Sequence, residues 1–444
     1  MQLVQILTQG DYMESIWNID AKRPDFDTLK NDIKTDVLVV GGGITGVLCG
    51  YMLKNAGVDC VVVEADKICS GITNNTTAKI TCQHGLIYDK LINKYGLEKA
   101  QLYFEVNSAA VNQYKDMCQK IDCDYSESDS YVYSLDSRQK IEKEAEALSK
   151  LGCNAVFTQG TELPFEVAGA VGIKNQAQFN PLKFAYAVAK QVPVYQNTKV
   201  TELMPNGAKT NNGYIKAKKI IVATHFPFVN KHGGYFVKMY QHRSYVVALN
   251  VKSDIRNMYV DEAQKGMSFR RYGELLLVGG GSHRTGKKGG NWNELTHFAQ
   301  CYYPNAHEVC RWATQDCMTL DGIPYIGQYA KNTPNLYVAT GFNKWGMTSS
   351  MVAATVLADM VQGKHNKYSS VFLPWRSVMH PQLAVNMTET LVSFLTPTAP
   401  RCPHLGCALK YNKQEHSWDC SCHGSRFTQD GKLINNPATD DKKI

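Results

Sequence analysis

A glycine-rich turn set between two apolar runs constrains this chain more than any other feature. The segment TDVLVVGGGITGVLCGYMLKNAGVDCVVVEAD, residues 35–66, reads as strand, tight turn, helix and second strand. Asp36 to Val40 is a short run of the kind buried on both faces of a parallel sheet. Apolar residues then recur at Ile44, Val47, Leu48, Tyr51, Met52 and Ala56, a helical spacing that stops at Gly57. Val61 to Val63 supplies the second strand. Gly41 lets the chain bend sharply, Gly43 lets backbone amides approach a pyrophosphate, and Gly46 lets helix and strand pack closely. Ile44 and Thr45 then stand at the positive end of the helix, where phosphates bind. Glu64 ends the second strand, placed to accept both ribose hydroxyls of an adenosine and to repel a 2′-phosphate. The competing reading is a glycine turn that holds no ligand.

A second cradle would mark a two-nucleotide reductase. The one candidate, ELLLVGGGSHRTGKKGG, has Arg284 at the third glycine position, and TGKKGG cannot start a helix, so one dinucleotide is expected. At 444 residues the chain has room for two or three domains and a large core. With 44% hydrophobic and 20% charged residues it reads as globular, and no run approaches the roughly 18 apolar residues of a membrane span. A net charge of +8, carried by short pairs such as Lys218-Lys219 and Lys287-Lys288, gives no basic stripe, so no nucleic-acid partner is expected. The opening MQLVQILTQGDYMESIWNID lacks the basic flank and apolar core of a secretory signal, which points to the cytoplasm; Met13 is a candidate initiator. Ten of the fourteen cysteines are scattered through apolar segments and read as buried, reduced thiols.

Further segments in order along the chain make the front resemble the FAD-binding end of the D-amino acid oxidase superfamily, which includes glycine and sarcosine oxidases. SGITNNTTAKIT is similar to the loop passing near the flavin, with Thr76 and Thr77; NTKVTEL carries Val200, and KKIIVATHFP carries Ala223 and Thr224. MTLDGIPYIG matches the family's T-x-D-G-x-P-x-I-G with Asp321, and NLYVATGFNKWGMTSSMVAATVLADMV resembles its last strand, flavin loop and helix. That last turn, Gly341 to Gly346, feeds a helix from Met347 and Thr348, whose free amides point at whatever the turn holds. If this is the flavin, Lys344 and the helix end stabilise negative charge on the reduced ring.

The resemblance implies an α/β fold: a Rossmann-like FAD-binding domain (33–85, 151–225 and 318–375) with an antiparallel-sheet substrate domain (86–150 and 226–317). It implies hydride transfer from a carbon bearing nitrogen or oxygen to flavin N5, which depends on positioning more than on a dedicated base. Tyr245, Arg271, His283 and Arg284 are the polar residues in or beside the substrate-domain strands, and Lys344, Tyr245, Arg271 and His283 are the catalytic candidates. Amino-acid oxidases of the group usually carry G-x-R-P before the T-x-D-G segment, the arginine clamping a carboxylate. Here Thr314-Gln315-Asp316-Cys317 stands there. An acid in place of the clamp argues for a cationic or neutral substrate. Cys317 raises covalent flavin attachment, though its register differs from that of the sarcosine oxidase cysteine.

The tail, CPHLGCALKYNKQEHSWDCSCHGSRF, offers C-x-H and, fifteen residues on, C-x-x-H. Cys402, His404, Cys420 and His423 can hold zinc tetrahedrally, or a Rieske [2Fe-2S] cluster with the cysteines on one iron and the histidines on the other. CPHLGC…CSCHGS resembles the Rieske motif in detail. The resemblance implies a Cys407–Cys422 disulfide candidate, which a reducing compartment disfavours. It also implies a Ser425 hydrogen bond to a sulfide, a covering loop at Asn436-Pro437-Ala438 and, with Phe427 in place of a hydrogen-bonding tyrosine, a lowered potential. Residues 376–400 read as helix and linker, leaving 401–444 as a small, truncated Rieske-like β module that must lean on the body. No two-histidine, one-carboxylate iron site is apparent in the spacing, so the flavin is the expected redox partner. The expected protein is an FAD-dependent dehydrogenase of a small amine or amino-acid-like substrate, passing electrons singly through the cluster to an unidentified acceptor. Its rivals are an oxygen-reducing oxidase with a structural cluster and a non-catalytic redox sensor.

Overall fold

The computed structural model describes residues 13–443 except 378 and 398, so the first twelve residues of the opening MQLVQILTQGDYMESIWNID lie outside the described residues. Ile33–Val40 runs through the middle of an eight-stranded sheet, parallel to Cys60–Val63 on one side and Gly213–Val222 on the other. Leu336–Thr340 continues the parallel array, and Tyr325–Gln328 closes that edge antiparallel. Val37 to Val40 are all buried, as a strand covered on both faces requires. The helices Ile44–Asn55 and Gly346–Val361 pack against each other on this sheet. Their N-terminal ends open into one cavity.

A nine-stranded sheet stands beside it. Its path runs His307–Thr319, Met239–Asn250, Leu275–Arg284, Ser268–Tyr272, Met258–Asp261, Ser126–Ser134, Gly169–Gln178 and Lys79–Ile80, with Val156–Thr158 paired to Gly169–Gln178. Two expected boundaries differ from this arrangement. Val156–Thr158 and Gly169–Gln178, assigned to the cofactor domain from sequence, belong to the second sheet. The reason is steric: a Cβ on Gly172 would lie 2.3 Å from the Tyr131 ring and one on Gly169 3.1 Å from Phe157, so the two glycines admit those rings. Conversely, the helix Leu97–Cys118, assigned to the substrate domain, packs on Gly346–Val361, with the Tyr114 hydroxyl donating to the Met347 carbonyl at 3.0 Å.

GKKGG is followed directly by the helix Asn291–Tyr302, contrary to the expectation that this segment starts none. It makes no second cradle, because Leu275–Arg284 pairs antiparallel with both neighbours instead of entering a parallel βαβ unit.

At the tail, His380 caps the helix Pro381–Phe394 by accepting from the Gln382 amide, and Pro381 fills the first turn. Four short strands follow, Leu409–Asn412, Ser417–Cys420, Arg426–Thr428 and Leu433–Asn435, each antiparallel to the next.

Candidate active site and cluster site

The two helix ends and both large sheets enclose a cavity of about 1030 Å³. Gly41 has φ +109°, and a Cβ there would sit 2.6 Å from the Ala223 carbonyl oxygen; one on Gly46 would sit 1.8 Å from the Gly41 oxygen. These positions admit glycine alone. Gly43 faces the cavity, where an added Cβ meets only the Thr73 hydroxyl at 3.3 Å. Glu64 reaches the turn, accepting from the Gly42 amide at 2.6 Å, and burial raises its pKa.

The second turn is held from within. Asn343 and Lys344 both have positive φ, a conformation costly for residues with a Cβ. Asn343 offsets this cost by accepting from the Thr319 amide at 2.8 Å and donating to the Gly341 carbonyl at 2.6 Å. The result turns Lys344 inward, half-buried, its Nζ donating to the Ser282 hydroxyl at 3.0 Å, and burial lowers its pKa. No side chain caps the helix Gly346–Val361, so its first amides are free for a ligand.

Val200, Ala223, Thr224, Thr76, Thr77, Ile44, Thr45, Gly341, Gly346 and Met347 all line this cavity, beside Gly41, Gly43, Glu64 and Lys344. Thr348 stands behind the wall, hydrogen-bonded to His84 and to the Thr81 carbonyl. Asp321 reaches the lining but is held in a two-point ion pair with Arg376 at 2.7 Å. The Ile44 amide donates to the Thr73 hydroxyl at 3.0 Å, and the cradle, the inward acid and the uncapped end of Gly346–Val361 fit an FAD.

The catalytic candidates separate. Arg271 lies outside the cavity lining, its guanidinium donating to the carbonyls of Ser253, Gly273 and Glu274. His283 stacks on the Tyr245 ring behind the wall. Tyr245 is among the residues at the cavity wall, yet its ring is buried, and its hydroxyl donates to Glu415 at 2.8 Å and lies 3.0 Å from His283 Nε2. Of the four, Lys344 alone presents its charged group to the cavity.

Sequence reasoning missed what one pair of strands does. In Met239–Asn250 and His307–Thr319, Tyr240, His242, Ser244, Thr314, Asp316 and Met318 line the cavity. The alternate residues Gln241, Arg243 and Gln315 turn to the other face and grip the C-terminal module. Gln241 Nε2 donates to the carbonyls of His423 at 2.8 Å and Asn436 at 3.0 Å, and Gln315 Nε2 to those of Gly424 at 2.8 Å and the Gln241 side chain at 2.7 Å. Arg243 pairs with Glu415, which also accepts from Arg426. Burial pushes Glu415 up, but the charges of Arg243 and Arg426 override it and hold the carboxyl down at about 2. Arg284 donates to the carbonyls of Ser421 at 3.0 Å and Cys422 at 3.2 Å. The period-2 alternation of QHRSY and TQDCM was the available signal. Cys317 falls on the same strand as a buried core residue outside the cavity lining, and burial raises its pKa, which speaks against covalent attachment.

Within the module the Sγ atoms of Cys407, Cys420 and Cys422 lie within 4.8 Å of one another, and all four tail cysteines are buried and unbridged. The rings of His404 and His423 stand 5.0 Å apart at 86°. The Nδ1 atoms of both are buried without a partner, although buried polar atoms are ordinarily satisfied. Two orphaned imidazole nitrogens in a module with grouped thiols suit a cluster with two histidine ligands, although the expected ligand Cys402 is not part of the close trio. Ser425 Oγ accepts from the Ala438 amide at 3.0 Å, tying the Asn436-Pro437-Ala438 loop over the site. Leu433 to Asn436, Ala438 and Thr439 also line the large cavity, and Asn436 donates to the Thr224 carbonyl at 2.7 Å.

Comparison with known proteins agrees with both halves. Residues 36–360 match the family of FAD dependent oxidoreductases, and residues 385–443 match the Rieske [2Fe-2S] domain. The chain is 35% identical over 490 aligned positions to a protein of Bacillus subtilis named as a Rieske 2Fe-2S iron-sulfur protein, covering 96% of each. It is 24% identical to the gamma-glutamylputrescine oxidoreductase of Escherichia coli, over 78% of this chain and 88% of that one. Its fold is similar to that of glycine oxidase from Geobacillus kaustophilus, with TM-score 0.65 and 20% identity over 78% of this chain and 99% of the other.

Proposed function

The chain belongs to the FAD dependent oxidoreductase family and carries a Rieske [2Fe-2S] domain, and from that premise we propose that it is a dehydrogenase of a small amine or amino-acid-like substrate whose electrons leave through the C-terminal module. One observation carries this reading: the strand pair Met239–Asn250 and His307–Thr319 lines the cofactor cavity with one face and hydrogen-bonds the His423–Gly424 loop with the other. When bound, FAD supplies a two-electron acceptor and the cluster a one-electron carrier.

Gly41, Gly43 and Glu64 hold the dinucleotide end. Lys344, kept inward by Asn343, offers a donor and a positive charge to the ring. Cys402, Cys420, His404 and His423 hold the cluster, while Gln241 and Gln315 fix its loop against the strands. Asn436 ties the covering loop to the carbonyls of Thr224 and Phe226. Support for an amine-type substrate comes from the names of relatives, the gamma-glutamylputrescine oxidoreductase and a D-amino acid dehydrogenase of Rhizorhabdus wittichii. The free cysteines suit a reducing compartment, for which we propose the cytoplasm. Among the described residues no helix is long and apolar enough to cross a membrane.

The test is an anaerobic screen of amines and amino acids against the iron-replete protein, following flavin bleaching together with paramagnetic resonance. The expected outcome is bleaching by an amine accompanied by a reduced Rieske signal. Fast reaction of the reduced protein with oxygen to stoichiometric peroxide, with the cluster unchanged, favours an oxidase. No reduction by any metabolite favours a sensor.

A further inference from the structure

Two acceptors on the cavity wall have nothing to accept. Asp316 and His242 are direct cross-strand partners on adjoining strands, and both line the cavity. Side chains so placed share a face and lie within contact of each other. No hydrogen bond or ion pair to the Asp316 carboxylate occurs among the described residues. The neighbouring cations are engaged elsewhere, Lys344 with Ser282 and Arg243 with Glu415. The Nδ1 of His242 is likewise buried without a partner. Burial is the leading influence on each group: it lowers the His242 pKa to about 3, leaving a neutral ring able to accept, and raises that of Asp316 to about 6, against the pull of Lys344 and Arg243. A half-buried carboxylate without a hydrogen-bond donor, beside an unfilled imidazole nitrogen, is stabilised by a cationic donor from outside the chain. An ammonium group has three donors and no acceptor, which suits both atoms at once.

We propose that Asp316 and His242 form a site for a second, non-reacting ammonium group, so that the substrate is a diamine or aminoalkyl compound whose distal nitrogen is cationic and whose reacting nitrogen is the neutral amine. This rests on the amine reading above and narrows it. The nitrogen at the oxidised carbon stays free for the chemistry, while the distal nitrogen anchors at the strand pair.

The experiment titrates the FAD-loaded protein with 1,4-diaminobutane, butylamine and 4-aminobutanoate, reading binding from the flavin absorbance shift. A charge-assisted pair of this kind predicts diaminobutane binding about 10- to 100-fold tighter than butylamine, with 4-aminobutanoate weakest. In Asp316→Asn the preference of diaminobutane over butylamine should fall to within about threefold. Asp316→Arg should reverse the order in favour of 4-aminobutanoate. Equal binding of diaminobutane and butylamine by the unaltered protein overturns the proposal, as does a preference that survives Asp316→Asn. Should either variant lose FAD, the three-ligand comparison on the unaltered protein decides alone. An Asp316-dependent preference without any anaerobic flavin reduction leaves this site standing and removes the dehydrogenase reading, whereas reduction by amines without the preference does the reverse.

Discussion

The flavoprotein body buries three apolar clusters, whereas the core of the C-terminal module amounts to Cys402, Cys407, Leu409, Cys420, Cys422, Phe427 and Ala438. Four of those seven are cysteines, and the rest of the module interior is polar: Arg426, Asp419, Ser417 and Ser425 are all buried. The body can fold on hydrophobic burial alone. So small a core cannot do the same, and the module depends on its cluster and on docking to the strand pair. The contrast teaches that one chain can join two folds of unequal independence by making the larger supply some of the smaller one's hydrogen-bond partners.

The sharpest way to break this contrast is to remove the cluster. Cys420→Ser should abolish the Rieske resonance completely and expose the segment around Arg401 to trypsin, while FAD content stays unchanged. Parallel loss of FAD shows that the two halves fold as one unit. Glu415→Gln comes next, since it leaves Arg243 and Arg426 buried without their shared carboxylate. Removing one member of such a group costs about 3–5 kcal/mol, which should appear as lost hydrogen-exchange protection in residues 401–443 with none lost around Ile33–Val40.

Much of the body was legible because its signals are local. Gly41, Gly43, Gly46 and Glu64 are spaced by the turn they make, and the cluster residues by the loops they form. The strand partners of Gly169–Gln178 were not legible, because pairing is decided by which distant ring, here Tyr131, fits over a glycine. The same limit hid the docking face. Gln241, Arg243 and Gln315 are ordinary strand residues until alternation and a second domain give them a side. Tyr245 illustrates the converse, a polar residue in the right strand whose hydroxyl is taken up by Glu415.

A smaller effect sharpens the contrast at the contact itself. Gln241→Leu removes the hydrogen bonds to His423 and Asn436, each worth about 1 kcal/mol. The reduced cluster signal should then appear more slowly in rapid-freeze experiments, with the rate of flavin bleaching unaltered. A change in bleaching alone assigns Gln241 to the cavity side. The pH dependence of the cavity side is separate: Asp316 must be ionised to hold an ammonium, and burial sets its pKa near 6. Lys344 and His242 are the titratable groups on its side of the strands, and Arg243, on the opposite face, also acts on its charge. Affinity for 1,4-diaminobutane should therefore rise from pH 5 to pH 7 by up to about tenfold per unit below the pKa, and Asp316→Asn should flatten that rise in the same titration. The smallest effect is expected from Phe427→Tyr, which adds a hydroxyl to a fully buried ring beside the thiols and should raise the cluster's midpoint potential in a redox titration.

The most direct measurement mixes the iron-replete protein anaerobically with an amine that bleaches its flavin, freezes samples over the time course, and records the paramagnetic resonance. A continuous path through Met239–Asn250 and His307–Thr319 predicts a reduced Rieske signal rising as fast as the flavin bleaches, without added mediator. A cluster that stays oxidised beside fully bleached flavin, yet is reduced at once by dithionite, contradicts it.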